Sequence, residues 1–438
     1  MSGTETWLAQ PGTPLRGSLR VPGDKSISHR AMMLGALADG VCQVSGFLEG
    51  EDTLATAAAF RAMGVRIEDD GAGRKIVHGV GIDGLRAPSA PIDCGNAGTG
   101  MRLMAGVLAG QAFDSTLIGD ASLSKRPMRR VTEPLAKMGA RIDTAEGGLP
   151  PLRVHGGQGL VGIDYDLPVA SAQVKSALLL AGLYAKGETT VREPHPTRDY
   201  TERMLAALGW PIAFSPGFAK LSGGHRLRAT DIVVPSDFSS AAFFLVAASI
   251  IPGSELTLEG VGMNPRRTGL LHALRLMGAD IVERNAREEG GEPVADLHVR
   301  HAPLHGIAVP EHLVPDMIDE FPALFVAATA ASGVTVVRGA AELRVKESDR
   351  IAVMANGLRA MGAQVDEAPD GAIIHGGASL GGADVQAQHD HRIAMSFVVA
   401  AQRATAPVRI HGCDTVATSF PGFLTLATGC GFRIAAAG

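Results

Sequence analysis

Aromatic residues are scarce in this sequence. Trp, Tyr and Phe together make up 4% of its 438 residues, too few to predict a surface on which nucleic-acid bases stack. The formal net charge is only −5, and no basic block is long enough to follow a phosphate backbone. Hydrophobic residues reach 46%, which argues against disorder. We therefore expect a compact protein of two or three domains, with no nucleic-acid partner.

Long apolar runs and paired cysteines are missing as well. The longest apolar stretch, residues 241–251, is well short of the roughly 18–20 residues that a membrane-spanning helix needs. Residues 1–10 have neither the basic nor the apolar region of a signal peptide. The four cysteines show no C-x-x-C pair and no zinc spacing: Cys42, Cys94, Cys413 and Cys430. We expect buried thiols in a cytoplasmic protein that does not enter the membrane.

What the chain does contain is an internal repeat. Residues 60–67 read Phe-Arg-Ala-Met-Gly-Val-Arg-Ile, and residues 135–142 read Leu-Ala-Lys-Met-Gly-Ala-Arg-Ile. The spacing is about 73 residues, one sixth of the chain, and six copies at such a period indicate a sixfold repeat. Each copy predicts a helix that ends at a glycine with positive φ, followed by a strand. The six glycines are Gly64, Gly139, Gly209, Gly278, Gly362 and Gly431.

A second helix, rich in Ala, Leu and Val, is expected in each copy. These helices are predicted at residues 26–39, 97–110, 170–186, 238–251, 318–332 and 391–403. A short strand should follow each one, at residues 42–47, 115–118, 189–192, 255–258, 334–338 and 408–411. Alternating helices and strands predict an α/β (α+β) fold. Residues 217–228 and 285–296 read as polar inserts, and a midpoint near Val234 predicts two domains of three copies.

Polar residues gather where these second helices begin. The segments are 23–30, 95–100, 170–175, 236–240, 315–320 and 389–392. Helix N-termini carry unpaired N–H groups and a partial positive charge, so they bind anions. The same residue types also serve as ordinary N-caps. If the repeats bring several of these ends to one cleft, that cleft would bind phosphate or carboxylate groups. Four of the eight lysines lie in polar segments: Lys25, Lys125, Lys175 and Lys346.

Several segments of the sequence come close to a known motif but do not match it. Lys25 follows Asp24 rather than the glycine that a P-loop requires, which disfavours a kinase. Residues 95–100 are glycine-rich but do not follow G-x-G-x-x-G. His389 and His391 lack a third ligand at useful spacing, so no metal is expected. Residues 346–350 are expected at a helix start, with Lys346 and Arg350 on one face. Such a face could belong to a binding site or could be an ordinary solvent-exposed face with salt bridges.

Taken in order, six segments resemble the enolpyruvyl transferase family, and within it a divergent bacterial (class II-like) branch. They are residues 22–30, 95–102, 119–128, 171–176, 343–350 and 390–395. The resemblance implies two domains, each of three repeated βαβαββ units in an inverse α/β barrel, with a ligand cleft between them. It places domain one at residues 1–21 plus 237–438, and domain two at residues 22–236.

The resemblance also implies an activity, namely transfer of the enolpyruvyl (1-carboxyvinyl) group of phosphoenolpyruvate to the 5-hydroxyl of 3-phosphoshikimate. This reaction releases phosphate, belongs to the shikimate pathway to chorismate and aromatic amino acids, and uses no cofactor; we expect a monomer. Implied contacts with 3-phosphoshikimate are Lys25, Ser26, Arg30, Ser171, Ala172, Gln173, Arg198, Asp319 and Lys346. Implied contacts with phosphoenolpyruvate are Lys25, Gly98, Arg126, Gln173, Arg350 and Arg392. Asp319 is implied as the base for the hydroxyl, with Glu347 and Lys25 as candidates for proton transfer at the methylene.

The sequence departs from the family pattern at three places. Ala172 stands where many relatives have a second serine, Glu342 where an asparagine is frequent, and Thr418 where a lysine is frequent. The ligand contacts at these positions therefore stay open. Gly98 lies in the loop where, in this family, larger residues are associated with tolerance to glyphosate. Glyphosate is an inhibitor expected at the phosphoenolpyruvate site.

Two alternatives remain at this point. One is a UDP-N-acetylglucosamine enolpyruvyl transferase, which uses a loop cysteine as acid and an asparagine where this chain has Ser26. The other is a non-catalytic anion-binding protein of the same fold. The combination of Asp319, Glu347 and Lys346 disfavours the second, because pure anion binding needs cations and no base beside them.

Overall fold

The protein is described by a computed structural model that covers residues 5–437. Twelve α-helices lie within these residues: α1 Lys25–Leu37, α2 Glu51–Ala62, α3 Gly98–Ala109, α4 Arg129–Lys137, α5 Ala172–Gly182, α6 Tyr200–Ala207, α7 Phe238–Ile250, α8 Gly269–Leu276, α9 Phe321–Ala330, α10 Arg350–Ala360, α11 His391–Ala401 and α12 Phe423–Gly429. Short 3₁₀ helices lie at Leu123–Lys125, Glu146–Gly148, Glu311–Asp316, Ala341–Val345 and Val416–Thr418.

The same residues form 24 strands: β1 Thr6–Ala9, β2 Arg16–Leu19, β3 Ala38–Ser45, β4 Arg66–Asp69, β5 Lys75–Val80, β6 Ile92–Asp93, β7 Ser115–Ile118, β8 Arg141–Ala145, β9 Leu149–His155, β10 Asp164–Asp166, β11 Glu188–Arg192, β12 Ile212–Ser215, β13 Phe218–Ser222, β14 Leu227–Arg228, β15 Ile232–Val233, β16 Glu255–Gly262, β17 Asp280–Glu289, β18 Glu292–Arg300, β19 Val334–Val337, β20 Gln364–Ala368, β21 Gly371–His375, β22 Ala383–Gln386, β23 Val408–His411 and β24 Ile434–Ala437.

The chain folds into two compact units. Residues 5–22, 235–288 and 293–437 form unit one, and residues 23–234 together with 289–292 form unit two. Each unit has its own hydrophobic core. Residues 289–292, from the last residue of β17 to the first residue of β18, belong to unit two.

Each unit contains three sheets. In five of the six described sheets a parallel pair of strands continues into antiparallel strands, whereas β19-β21-β20 is antiparallel throughout. In unit two the strand orders are β6-β7-β9-β8, β10-β11-β13-β12 and β14-β3-β5-β4, with β15 also paired to β3. In unit one they are β2-β16-β18-β17, β19-β21-β20 and β22-β23-β1-β24. These described strands form open sheets and no closed β-barrel. The predicted α/β class, with three repeats in each unit, is confirmed.

The last of these sheets contains a strand from the far end of the chain. Strand β1 lies in its middle, antiparallel to β23 on one side and to β24 on the other. The side chains of Thr6 and His411, 405 residues apart, are within 3.2 Å of each other. Unit one is therefore completed by residues from both ends of the described sequence.

Three helices form the centre of each unit: α1, α3 and α5 in unit two, and α7, α9 and α11 in unit one. All thirteen residues of α7 are buried, as expected of a helix that is apolar on every side. Helix α3 packs on α5, and α7, α9 and α11 pack on one another. The six helices predicted from the sequence are these six, with ends that differ by up to four residues.

All six repeat glycines have positive φ, between 81° and 114°. Each follows the end of an outer helix, namely α2, α4, α6, α8, α10 or α12, and its N–H donates to a carbonyl of the last helical turn, as Gly139 does to Ala136 at 3.0 Å. Only glycine reaches this region without steric cost. The repeat read from the sequence is therefore a structural repeat, and its glycines end helices as predicted.

Replacing Gly139 by alanine should lower the free energy of unfolding by about 1–2 kcal/mol, because its φ of 96° is costly for any residue with a Cβ. The added Cβ would meet only the carbonyl oxygen of Gly159, at 3.4 Å, so the cost is conformational. Gly159→Ala is the control, because its Cβ would meet nothing within 4 Å. Urea unfolding monitored by circular dichroism measures both; equal stability of the two variants would contradict the prediction.

All four cysteines are free and buried, as predicted. Burial raises the pKa of the Cys94 and Cys413 thiols to about 12, so neither is a reactive thiolate near neutral pH. Among residues 5–437, no helix is long and apolar enough to cross a membrane.

The two segments described as polar inserts contain strands, which the sequence analysis did not predict. Residues 217–228 include β13 and β14, and residues 285–296 lie in the hairpin formed by β17 and β18. Strand β17 is exposed along most of its length, so it lacks the apolar alternation by which strands are recognised in sequence.

Candidate active site

Side chains join the first two turns of α1, α3 and α5 at one end of unit two. Arg30 on α1 donates from Nη2 to Ser176 Oγ on α5 at 2.7 Å. Gln173 on α5 accepts from Arg102 Nη1 and donates to Thr99 Oγ1, both at 2.8 Å, and these two residues lie on α3. The N-termini of three buried helices therefore meet here, with their unpaired N–H groups and partial positive charges.

Arg30 is a buried cation held by neutral groups. Its Nε donates to Thr201 Oγ1 at 2.7 Å, and its Nη1 donates to the Ser26 carbonyl at 2.9 Å. The Tyr200 ring lies 5.9 Å away. Burial lowers the pKa of Arg30 to about 10, so the guanidinium remains charged at neutral pH. A guanidinium with neutral partners keeps its charge available for an anionic ligand.

Lys25 and Ser171 lie at the starts of α1 and α5. Lys25 forms an ion pair with the buried Asp52. Asp24 caps α1 by accepting from the Ile27 N–H at 2.9 Å, a role that the glycine of a P-loop cannot fill. Ser171 caps α5 in the same way, and Ala172 is its first helical residue and has no hydroxyl to offer.

Gly98 opens α3 beside two arginines. A Cβ at this position would lie 3.2 Å from Nη1 of both Arg102 and Arg126. Arg126 Nη2 also donates to Asn96 Oδ1 at 2.8 Å. Arg198 is near enough to Arg30 that its charge adds to burial in lowering the pKa of Arg30. The residues expected to bind anions in unit two therefore do come together.

In unit one, the Asp319 carboxylate faces three cations. Its Oδ1 lies 3.3 Å from Arg350 Nη1 and 3.9 Å from Lys346 Nζ. Its Oδ2 lies 3.7 Å from Arg267 Nη1. Nearby cations favour an ionised carboxylate. Asp319 is only partly buried, so it can accept a proton from a bound group.

Arg350 organises the carboxylates of this cluster. Its Nε lies 2.8 Å from Asp390 Oδ2, and its Nη2 lies 2.6 Å from Glu347 Oε2. Burial alone would lower the pKa of Arg350, but the charges of Asp390, Glu347 and Asp319 raise it above its ordinary value. Arg350 therefore stays charged and holds Glu347 and Asp319 in one place.

Arg392 joins the cluster from the start of α11. Its backbone N–H donates to Asp390 Oδ1 at 3.0 Å, and its Nη1 donates to the Asp319 carbonyl at 3.4 Å. Ser239 at the start of α7 donates to Glu320 at the start of α9. The first turns of the three central helices therefore meet in unit one as well, with all five predicted residues of this unit: Asp319, Lys346, Glu347, Arg350 and Arg392.

One local expectation is wrong. Helix α10 begins at Arg350 with Asp349 as its N-cap, so Lys346 precedes the helix and shares no helical face with Arg350. Lys175 is buried between Glu193 and Glu202, with Nζ–Oε distances of 2.8 Å to each, and is therefore a structural cation.

The remaining open positions have local partners. Thr418 donates to the Thr415 carbonyl at 2.6 Å. The departure at Glu342 places a carboxylate 2.9 Å from Lys346 Nζ. His389 Nδ1 lies 2.8 Å from Asp414, and residues 5–437 hold no group of three or more His, Cys, Asp or Glu side chains suited to a metal.

Sequence reasoning missed several residues of the two clusters. Arg102 lies in the segment 95–102, but the resemblance gave no role at this position, and Arg267 lies in none of the six segments. Thr201 and Ser176 hold Arg30 from two different helices. A local pattern in the sequence could not reveal these partners, because tertiary packing alone brings them together.

Comparison with known proteins agrees with this geometry. A family model described as EPSP synthase (3-phosphoshikimate 1-carboxyvinyltransferase) matches residues 9–426. A 3-phosphoshikimate 1-carboxyvinyltransferase of Xanthomonas campestris pv. campestris (strain B100) is 70% identical over 433 residues, covering 99% of both chains. One from Xanthomonas oryzae pv. oryzae (strain PXO99A) is 70% identical over 436 residues, covering 100% of this chain and 99% of the other.

Solved structures give the same result. EPSP synthase from Acinetobacter baumannii superposes with a TM-score of 0.92 at 53% identity, covering 99% of this chain and 100% of that one. The enolpyruvyl transferase NikO from Streptomyces tendae, at 18% identity and a TM-score of 0.81 with 99% of both chains covered, shares the fold. The chain belongs to the EPSP synthase (3-phosphoshikimate 1-carboxyvinyltransferase) family.

Proposed function

We propose that this chain transfers the enolpyruvyl group of phosphoenolpyruvate to the 5-hydroxyl of 3-phosphoshikimate, giving 5-enolpyruvylshikimate 3-phosphate and phosphate. Membership of the family supports this reaction. The observation that carries it is the position of the Asp319 carboxylate, 3.3 Å from Arg350 and 3.9 Å from Lys346. Cations alone would suit an anion-binding protein, whereas a carboxylate among them suits proton transfer beside an anionic substrate.

Both proposed substrates are polyanions, so their binding needs several cations. For 3-phosphoshikimate we assign Lys25, Ser26, Arg30, Ser171, Gln173, Arg198, Asp319 and Lys346, with the backbone of Ala172. For phosphoenolpyruvate we assign Lys25, Gly98, Arg126, Gln173, Arg350 and Arg392. The neutral partners of Arg30 support this assignment, because its charge is then available to a substrate carboxylate or phosphate.

The proposed reaction has two stages. Asp319 accepts the proton of the 5-hydroxyl, and the oxygen forms a bond to C2 of phosphoenolpyruvate while Glu347 or Lys25 delivers a proton to the methylene carbon. In the second stage, the group that protonated the methylene takes a proton back from the new methyl group, and the C2–O bond to phosphate breaks, which regenerates the vinyl group. The proton held by Asp319 leaves with the phosphate. Arg126, Arg350 and Arg392 offset the charge of the substrate carboxylate and the departing phosphate.

The direct test is phosphate release from phosphoenolpyruvate by the purified protein, without ATP or added metal. Release that depends on 3-phosphoshikimate would support the proposal. Release that depends on UDP-N-acetylglucosamine instead would favour the related transferase, and no release with either acceptor would favour an anion-binding protein. Monomeric state and cytoplasmic location stay predictions; light scattering and cell fractionation measure them.

We expect Gly98→Ala to raise the inhibition constant of glyphosate about tenfold and the KM of phosphoenolpyruvate about threefold. The added methyl group, 3.2 Å from Nη1 of Arg102 and Arg126, must displace both guanidinium groups by a few tenths of an ångström. Glyphosate has one more atom than phosphoenolpyruvate between its phosphorus and its carboxylate, so it tolerates the narrowing less well. Steady-state inhibition kinetics measure both constants, with Gly159→Ala as control; an unchanged inhibition constant would contradict the proposed place of glyphosate.

A further inference from the structure

Arg267 is a buried cation of unit one that is not among the residues assigned to either substrate. Its side chain is 3% exposed. Its Nη2 lies 2.9 Å from Asp237 Oδ1 and 2.5 Å from Ser239 Oγ. Its Nη1 lies 3.7 Å from Oδ2 of Asp319, the proposed base. Arg267 thus links the start of α7 to the residue on which the chemistry is proposed to depend.

The guanidinium of Arg267 is fixed by its surroundings. Asp237 is the N-cap of α7 and accepts from the Ser239 N–H at 2.9 Å, so its carboxylate is itself held by the helix. The backbone N–H of Arg267 donates to the Asn264 carbonyl at 2.8 Å. With Nη2 held by Asp237 and Ser239 and the backbone held at Asn264, the planar guanidinium presents Nη1 toward Asp319.

We propose that Arg267 is a positioning residue for Asp319, an inference that rests on the proposed function. Arg350 faces Oδ1 of this carboxylate at 3.3 Å, and Arg267 faces Oδ2 at 3.7 Å. One guanidinium on each oxygen fixes the plane of the carboxylate. The longer distance to Arg267 leaves Oδ2 with acceptor capacity for the substrate hydroxyl.

Arg267 also sets the charge around Asp319. The other charged groups of the cluster come from the segment before α10 and from the starts of the four packed helices: Asp237, Glu320, Lys346, Glu347, Arg350, Asp390 and Arg392. The ion pair of Lys346 adds Glu342. Loss of Arg267 would remove one cation from a cluster in which carboxylates outnumber cations, so the proton affinity of Asp319 would rise.

The experiment compares Arg267→Gln and Arg267→Lys with the matched control Arg266→Gln. Arg266 is the neighbouring residue, partly exposed, and its Nη1 lies 3.3 Å from Asp316 rather than near Asp319. For Arg267→Gln we expect kcat to fall about 30-fold, with both KM values within about threefold of wild type. The acid limb of the kcat profile should move to higher pH, because the base must be ionised to act. Arg267→Lys should restore part of kcat and move the acid limb part of the way back toward that of the wild type. Arg266→Gln should match the wild type in both.

Three results would overturn the inference. Arg267→Gln with the acid limb and kcat of the wild type would show that Asp319 does not depend on Arg267. Equal loss of kcat in both Arg267 variants with an unmoved acid limb, or failure of both to fold, would assign Arg267 a structural role. A wild-type protein without phosphate release that depends on 3-phosphoshikimate would contradict the proposed function itself, and the inference would fall with it.

Discussion

Asp319→Asn should lower kcat about 1,000-fold and change the KM of either substrate by less than about threefold. The amide has nearly the shape of the carboxylate, so it can still lie beside Arg350 and Lys346, 3.3 and 3.9 Å from Oδ1. It cannot accept the proton of the 5-hydroxyl, and the loss should therefore fall on turnover rather than on binding.

Phosphate release under saturating substrate measures this effect, and titration of 3-phosphoshikimate gives the KM. Asp316→Asn is the matched control: Asp316 lies three residues earlier and pairs with Arg266 at 3.3 Å rather than with the cations around Asp319, so turnover should stay within about twofold. A KM that rises as much as kcat falls would show that Asp319 binds substrate without acting as base.

Arg350→Met should lower the free energy of unfolding by about 3–5 kcal/mol and abolish turnover. Arg350 is 2% exposed and carries ion pairs to Asp390, Glu347 and Asp319 at 2.8, 2.6 and 3.3 Å. Its removal leaves the fully buried Asp390 without its ion-pair partner and brings like charges together. The change should therefore weaken the packing of unit one and displace the acid–base groups Glu347 and Asp319.

Arg359→Met on the same helix is the control for this change. Arg359 is 41% exposed and pairs with Glu367 at 2.9 Å, an exposed ion pair of the kind that contributes about 0–1 kcal/mol. Guanidinium-induced unfolding monitored by fluorescence and circular dichroism compares the two variants. If the two variants unfold with equal free energy, the carboxylates around Arg350 must be stabilised by water or neutralised by protonation when the guanidinium is absent.

The repeat was the strongest signal in the sequence, and its physical basis explains why. A helix that ends in a residue with positive φ favours glycine there, so the same backbone geometry selects the same residue type at six positions. The central helices were also predictable, because a helix that is buried on all sides must be apolar throughout, as α7 is.

The site was predictable only as far as its motifs reached. Arg350 and Asp319 were identified by resemblance, but Arg267 was not, because its importance arises from its 3.7 Å approach to Asp319 across the fold. Lys175 shows the opposite case: it stands in the same polar segment as Gln173, yet its side chain lies between two buried glutamates. Sequence position fixes which helix carries a side chain and does not fix which neighbours it meets.

The central place of β1 between β23 and β24 has a consequence for biosynthesis. At the usual speed of about 5–20 residues per second, a ribosome needs on the order of 20–80 s to make the 405 residues that separate Thr6 from His411. Nearly all of unit two, residues 23–234, is complete long before then. We therefore expect unit two to fold while the chain is still being synthesised, with β1 unpaired and open to chaperones until the last strands emerge.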